Sequence, residues 1–180
     1  MMQSSTDLIY LASACVCAAV SAVFDIKSRR IPNFITGPCL AAGLVLHGIG
    51  DGWHGLLTSM AAALICGAIF LIFYLAGGMG AGDVKLITAV GALAGLPHVA
   101  YLLILSALAG GVMGVFLAIS RGKLLQTLGN VTALLTHHRQ EGLTPHPELN
   151  VGNANTLRLP YGVAIAVGCA VTCYLQGIRG

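Results

Sequence analysis

The chain has 180 residues, of which 57% are hydrophobic and 8% are charged, and its mean hydropathy is +0.87. Because soluble domains carry about 25% charged residues, this composition excludes a soluble enzyme or binding module and indicates an integral membrane protein. The net charge of +3 does not indicate nucleic-acid binding, since the basic residues lie in short polar segments and not in one patch.

Six apolar runs predict six membrane-spanning helices in one domain covering residues 1–180. The predicted spans are residues 8–24, 34–48, 56–76, 84–96, 99–119 and 159–175. We interpret the first run as a span and not as a signal peptide, because no basic segment precedes it. The predicted fold is therefore an all-α, six-helix bundle in the lipid bilayer.

The longest polar segment, residues 120–158, lies between the fifth and sixth spans. Its first part, Lys123–Thr136, has leucines near helical spacing and predicts an amphipathic helix in the membrane interface. The remainder, with His137, His138 and His146, is predicted to be a loop. Its histidines and the nearby glutamates match no standard metal spacing.

Six cysteines all fall in apolar segments, and none forms a C-x-x-C pair. Cys169 and Cys173 share a helical face, but small packing residues explain them better than ligands do. The sequence predicts no metal, no cofactor and no structural disulfide.

The topology follows from the distribution of charge. Each span reverses the side of the membrane, which places eight of the nine basic residues on one face. They are Lys27, Arg29, Arg30, Lys85, Arg121, Lys123, Arg139 and Arg158. By the positive-inside rule this face is cytoplasmic; both termini and Asp51 are then outside.

Two of the six carboxylates lie at predicted span boundaries on that face. Asp25 ends span 1, and Asp83 begins span 4. Acidic residues at a membrane boundary are costly and often functional. If the two meet, one ionised and one protonated carboxyl group can activate water for proteolysis. The spacing alone fits equally well two aspartates that only cap helix ends near lipid headgroups.

Three motifs in chain order resemble those of the type IV prepilin leader peptidases. They are Asp25-Ile-Lys-Ser-Arg-Arg-Ile-Pro-Asn33, Gly80-Ala-Gly-Asp83-Val-Lys85 and Leu159-Pro-Tyr-Gly162. The resemblance implies an intramembrane aspartic endopeptidase that removes the basic leader of prepilins or pseudopilins at the cytoplasmic face of a bacterial or archaeal cell membrane. It implies Asp25 and Asp83 as catalytic residues, and the pilus-assembly machinery as a possible partner.

The remaining residues of these motifs are expected to support the site. Gly80 and Gly82 precede Asp83, and Lys85 either holds the ionised Asp83 or reaches the membrane interface. Pro160 is expected at the first position of the last helix; with Tyr161 and Gly162 it forms a wall of the site. Lys27, Arg29 and Arg30 determine topology or contact acidic groups of the substrate.

Helix dipoles predict which aspartate is ionised. Asp25 is expected to follow a helix and to feel its negative end, whereas Asp83 precedes one and can accept its free N–H groups. The sequence therefore predicts an ionised Asp83 and a protonated Asp25.

Two alternatives remain beside the peptidase. One is a small proton-coupled transporter, and another is a structural subunit of a secretion system. The longer family members also N-methylate the new terminus and have a cysteine-containing domain before the first aspartate. Here span 1 reaches Asp25 directly, so the chain resembles the compact peptidases of tight-adherence pili and archaeal preflagellins more than a bifunctional methyltransferase.

Overall fold

A computed structural model describes residues 2–142, 144, 149 and 159–179. Helices and the turns between them make up this part of the chain, which contains no strand. In chain order the helices are α1 Met2–Ser28, α2 Asn33–Leu75, α3 Ala81–Ala94, a 3-10 turn Leu96–His98, α4 Val99–Ser120, α5 Leu124–Glu141 and α6 Tyr161–Arg179. The prediction of an all-α protein is confirmed.

Within the described residues, four helical stretches are long and apolar enough to cross a membrane. They are Thr6–Ser28, Asn33–Leu75, Leu96–Ser120 and Tyr161–Ile178. Large apolar side chains such as Leu64, Val112 and Phe116 are exposed on their surfaces. Such surfaces suit lipid and not water, and the prediction of a membrane protein is confirmed.

Helix α2 replaces two predicted spans and the turn between them. The sequence predicts an acidic, glycine-rich turn at residues 50–52, but helical structure continues through this segment except at Gly52. Gly52 has φ 62° and ψ −146°, a conformation that is accessible chiefly to glycine. The predicted turn is therefore reduced to one residue, and the helices on both sides are longer than expected.

The two halves of α2 both pack against α3, and they run in opposite directions along it. Before Gly52, Lys85 Nζ donates to Asn33 Oδ1 at 2.9 Å, and His47 Nε2 donates to the Leu93 carbonyl at 3.2 Å. The contacts thus advance in the same direction along both helices.

After Gly52 this order reverses. Ser59 Oγ donates to the carbonyl of Ala92 at 2.8 Å, and Gly67, further along α2, lies against Thr88, an earlier residue of α3. The halves are therefore antiparallel to each other, and both pack against α3.

Helix α3 is the most enclosed part of the bundle. Eight of the nine positions from Leu86 to Ala94 are buried, and Thr88 is the exception. This part of the helix is therefore apolar on all sides, as a core helix is. Its 14 residues extend about 21 Å, less than the bilayer core of about 30 Å. The predicted span covered residues 84–96, whereas α3 starts three residues earlier and ends two residues earlier. It is also not one of the four helical stretches that are long enough to cross a membrane.

Helix α5 is longer than the predicted amphipathic helix. It runs from Leu124 to Glu141, so His137, which was predicted to lie in a loop, is helical. Its ring Nδ1 lies 3.7 Å from Glu141 Oε2, one turn later. His146, Glu148 and Arg158 lie outside the described residues.

Candidate active site

Asp25 lies in the last turn of α1 and not after its end. The helix continues to Ser28, where Arg29 adopts a left-handed φ of 50° and turns the chain. The Asp25 side chain is only 8% exposed. A buried carboxylate requires hydrogen-bond partners, and Asp25 Oδ2 accepts one from the backbone N–H of Gly162 at 2.8 Å.

Gly162 leaves room for this contact at the start of α6. A Cβ atom on Gly162 would lie 2.9 Å from Asp25 Oδ2 and 3.1 Å from Asp25 Cβ. The N–H is one of the first-turn donors that have no partner within their own helix. The first turn of α6 thus presents a backbone donor to a carboxylate of α1.

Asp83 lies in the first turn of α3 and is partly buried. Its Oδ2 accepts the N–H of Gly80 at 3.2 Å, which is the return hydrogen bond of an N-terminal cap. Gly80 is extended, with φ −84° and ψ 152°. Asp83 therefore closes the start of its own helix.

The two carboxylates are electrostatically coupled. Asp83 lies before the predicted span and outside the four long helical stretches. Burial in the first place, and the nearby charge of Asp25 in the second, raise the pKa of Asp83 to about 6, while the Gly80 N–H opposes this increase. Burial alone raises the pKa of a carboxyl group, and the charge of a second carboxylate adds to that increase.

A close contact between two segments brings the helix ends together. Gly82 packs on Ile31, and a Cβ atom at Gly82 would lie 3.3 Å from the Ile31 Cβ and 3.5 Å from its nitrogen. Ile31 belongs to the short connection between α1 and α2. The absence of a side chain at Gly82 thus lets the chain after Asp25 approach the start of α3.

Tyr161, at the start of α6, packs against α2 and α4. Its ring packs edge-on against Phe70 of α2, with centroids 5.8 Å apart, and lies against Gly110 of α4. Pro160 precedes the helix, and its carbonyl accepts the N–H of Val163 at 3.1 Å. The prediction that Pro160 occupies the first helical position is therefore wrong by one residue, since its carbonyl caps the helix.

The basic residues are exposed beside the pair. Lys85 bonds to Asn33, and it makes no ion pair with Asp83 within the described residues. Lys27, Arg29 and Arg30 are all exposed. The structure therefore does not support a direct contact of Lys85 with the ionised Asp83. Lys85 is exposed, as expected for a side chain that reaches the surface.

Sequence reasoning assigned no role to Asn33 or Phe70. Asn33 connects the start of α2 to α3 through Lys85, and Phe70 supports the ring of Tyr161. Asn33 is the last residue of the first motif, and this position could have indicated that it has a role. Phe70 lies in an apolar run of similar residues, where nothing in the sequence distinguishes it.

The comparisons with known proteins found one family. A model described as the type IV leader peptidase family matches residues 12–115, which is more than half of the chain and includes both Asp25 and Asp83. Searches of curated proteins and of solved structures found no match. The segment with Pro160, Tyr161 and Gly162 lies beyond the matched region.

Proposed function

The chain belongs to the type IV leader peptidase family, and we propose from this that it is an aspartic endopeptidase whose catalytic pair is Asp25 and Asp83. The observation that carries the proposal is that the end of α1, with Asp25, and the start of α3, with Asp83, are brought together where Gly82 packs on Ile31. Family membership indicates a peptidase, and the coupled pair supports the aspartic type.

The proposed chemistry needs only water and the two carboxyl groups. The ionised aspartate removes a proton from water, whose oxygen attacks the carbonyl carbon of the peptide bond. The protonated aspartate donates its proton to the carbonyl oxygen, which stabilises the tetrahedral intermediate. The aspartate that took a proton from water then gives this proton to the amide nitrogen, and the C–N bond breaks. The hydroxyl formed from the carbonyl oxygen returns its proton to the other aspartate, so the two products leave and the pair regains its starting protonation.

We assign the shared proton of the resting enzyme to Asp83. The sequence predicted the opposite because Asp25 was expected to follow its helix. In the structure Asp25 accepts an N–H from the first turn of α6, at a shorter distance than the Gly80 contact of Asp83. The pKa of Asp83, raised to about 6, favours its protonated form below about pH 6, and the assignment applies to that range. Asp25 is then the ionised group that activates water.

We propose that the bundle crosses the membrane six times. The antiparallel halves of α2 each provide one crossing, and the part of α3 that follows Asp83, residues 84–94, provides a short one enclosed by other helices. This arrangement keeps the predicted cytoplasmic site and external termini. The amphipathic α5 then lies in the cytoplasmic interface.

The proposed substrate is a prepilin or pseudopilin with a short basic leader. Lys27, Arg29 and Arg30 form an exposed basic group after Asp25, which would repel that leader. It suits instead an acidic residue on the other side of the cleavage point. The pilus-assembly machinery is the proposed source of such substrates.

The transporter, secretion-subunit and methyltransferase alternatives have less support. Paired carboxylates of a transporter are expected near mid-membrane, whereas Asp25 and Asp83 lie at the ends of their helices. The family match also indicates a peptidase. We therefore propose no second function for this site.

The experiment that tests the proposal is co-expression of the full chain with candidate prepilins. Leader removal is scored by the mobility shift of the substrate. Asp25→Asn and Asp83→Asn should each lower cleavage by about 10²–10⁴-fold, the usual contribution of a general acid or base. Glu141→Gln is the control, because this carboxylate is exposed on α5.

Normal membrane levels of each variant show that folding is retained. Substantial cleavage by either aspartate variant would refute the pair. Loss of cleavage in Glu141→Gln as well would show that the assay reports something other than the pair.

A further inference from the structure

A second polar cavity lies at the opposite end of the bundle from the aspartate pair. Its volume is about 520 Å³. We call it the distal cavity, and its principal polar side chains are Asp7, Tyr10, His47, Asp51, His54 and His98. Asp7 and Asp25 are separated by about 27 Å along α1 at the helical rise, so the distal cavity cannot be part of the candidate active site.

One wall of the distal cavity contains an unpartnered buried imidazole. His98 is 6% exposed, and neither of its ring nitrogens has a hydrogen-bond partner among the described residues. Leaving a buried polar atom unpaired costs about 1–3 kcal/mol. A polar ligand in the cavity next to His98 would relieve part of that cost.

A second wall is held in place by hydrogen bonds and stacking. His47 Nε2 donates to the carbonyl of Leu93 at 3.2 Å, and its ring lies 3.8 Å from the ring of Tyr10. The Tyr10 hydroxyl donates to the carbonyl of Leu46 at 3.4 Å. These contacts fix two aromatic rings at the edge of the cavity before any ligand binds.

The charges around the distal cavity select a positive ligand. Asp7 and Asp51 provide two carboxylates from different helices, and no lysine or arginine among the described residues lines the cavity. With neutral histidines the lining has a formal charge of −2. Ammonium groups donate hydrogen bonds and carry the opposite charge, so they complement both the carboxylates and unpaired imidazole acceptors.

The size and arrangement of the cavity favour an organic cation over a metal ion. Its volume lies within the range of about 300–1,000 Å³ typical of small-molecule pockets. In the described part of the chain, no three His, Cys, Asp or Glu side chains are grouped so that they could hold a metal ion. Ala94 and Pro97 add apolar surface that suits a short hydrocarbon chain.

We propose that the distal cavity binds a small aliphatic amine through Asp7 and Asp51, with His98 as an additional hydrogen-bonding partner. The ammonium group donates to the carboxylates, and the hydrocarbon part packs on the rings of Tyr10 and His47 and on the apolar wall. This site is independent of peptide cleavage, and it would remain if Asp25 and Asp83 proved not to be catalytic.

Isothermal titration calorimetry of the detergent-solubilised full chain with 1,4-diaminobutane tests the proposal. We expect saturable binding that weakens at least about tenfold in Asp7→Asn and in Asp51→Asn, the loss of a charge-assisted hydrogen bond. Glu141→Gln should bind as the unchanged protein does. The uncharged 1,4-butanediol, of similar length, should not bind.

Several outcomes would overturn the proposal. These are absence of saturable diamine binding, equal binding of the diol, unchanged affinity in both aspartate variants, or saturable Zn²⁺ binding that excludes the diamine. Because Asp7 is in a helix, the thermal unfolding of each variant is measured in parallel. If Asp7→Asn unfolds, Asp51→Asn and His98→Gln decide the question, and unchanged affinity in both refutes the site.

Discussion

The contact between Asp25 and Gly162 places a backbone donor of one helix on a buried carboxylate of another. The hydrogen bond is 2.8 Å long, and Gly162 lies close to the carboxyl group. The carboxyl group can keep this position only because Gly162 has no side chain. The aspartate pair is therefore sensitive to one methyl group on α6, a helix that contributes no reacting group.

Gly162→Ala should reduce prepilin cleavage by about 10²-fold, because misplacement of a catalytic group by about 1 Å has effects of this size. The added Cβ would lie 2.9 Å from Asp25 Oδ2 and must displace the carboxyl group. The matched control is Gly177→Ala on the same helix, where no atom lies within 4 Å of the new Cβ. Cleavage is measured by mobility shift at equal membrane levels. Equal activity of the two variants would contradict a positioning role for Gly162.

The assignment of the proton to Asp83 gives a spectroscopic prediction. In infrared spectra recorded across pH, the band of the protonated Asp83 carboxyl group should disappear as pH rises, with a midpoint near its pKa of about 6. Asp25→Asn removes a charge that raises this pKa, so the band should persist and its midpoint should move to lower pH. Asp83→Asn should remove the band. A band that disappears in Asp25→Asn and persists in Asp83→Asn would restore the assignment predicted from the helix ends.

At the residue scale, the sequence predicted which carboxylates are coupled but not what contacts them. Asp25 and Asp83 are exceptional because few acidic residues lie beside apolar runs, and that signal is local. The partner of Asp25 is 137 positions away. Such a contact depends on the packing of α6 on α1, which no local pattern encodes. The dipole argument considered each aspartate only with its own helix, so it did not include this contact.

At the element scale, the short central helix α3 is held by close approach of backbones. A Cβ atom on Gly43 of α2 would lie 2.7 Å from the carbonyl carbon of Ala92, and one on Gly91 would lie 2.8 Å from Cys66 Sγ. Small residues at such crossings allow the van der Waals contact that stabilises helix pairs in lipid. The start of α3, and with it Asp83, is positioned by this packing.

Gly43→Ala should destabilise the protein by about 1–3 kcal/mol, the usual effect of overpacking a tight contact. The better helix propensity of alanine, about 1 kcal/mol, offsets only part of this. The control is Gly111→Ala on α4, which has no atom within 4 Å of the new Cβ and should be neutral or slightly stabilising. Unfolding in mixed detergent, followed by circular dichroism, measures both. A Gly43→Ala protein as stable as the control would show that the two helices separate at little cost.

Helix type was predictable, but helix boundaries were not. Apolar runs longer than about 15 residues specify helices in lipid because the backbone must satisfy its own hydrogen bonds. The ends depend on weaker effects: helix continues through residues 49–51 and 53–55 although the segment contains Gly50, Asp51 and Gly52. The antiparallel course of α2 follows from the backbone angle at Gly52 alone, and hydropathy carries no information about it.

At the scale of the whole molecule, the bundle has two chemically different ends. Exposed basic residues, among them Lys27, Arg30 and Lys85, lie at the end with the aspartate pair. The other end has Asp7, Asp51 and the histidines of the distal cavity. By the positive-inside rule we expect the basic end of such a bundle to lie in the cytoplasm.

Cysteine labelling in whole cells tests this orientation directly. The six native cysteines are first replaced, and single cysteines are then introduced at Arg29, Ala81, Gln140 or Asp51, all of which are exposed. With a membrane-impermeant maleimide, Asp51→Cys should react in intact cells, whereas the other three should react only after permeabilisation. The reason is that the basic end is expected to stay where the surface potential and the insertion machinery favour lysine and arginine. Reaction of Ala81→Cys in intact cells would place Asp83 at the outer surface, where a cytoplasmic leader peptide could not reach it. The proposed substrate would then be wrong even if the two carboxylates form a pair.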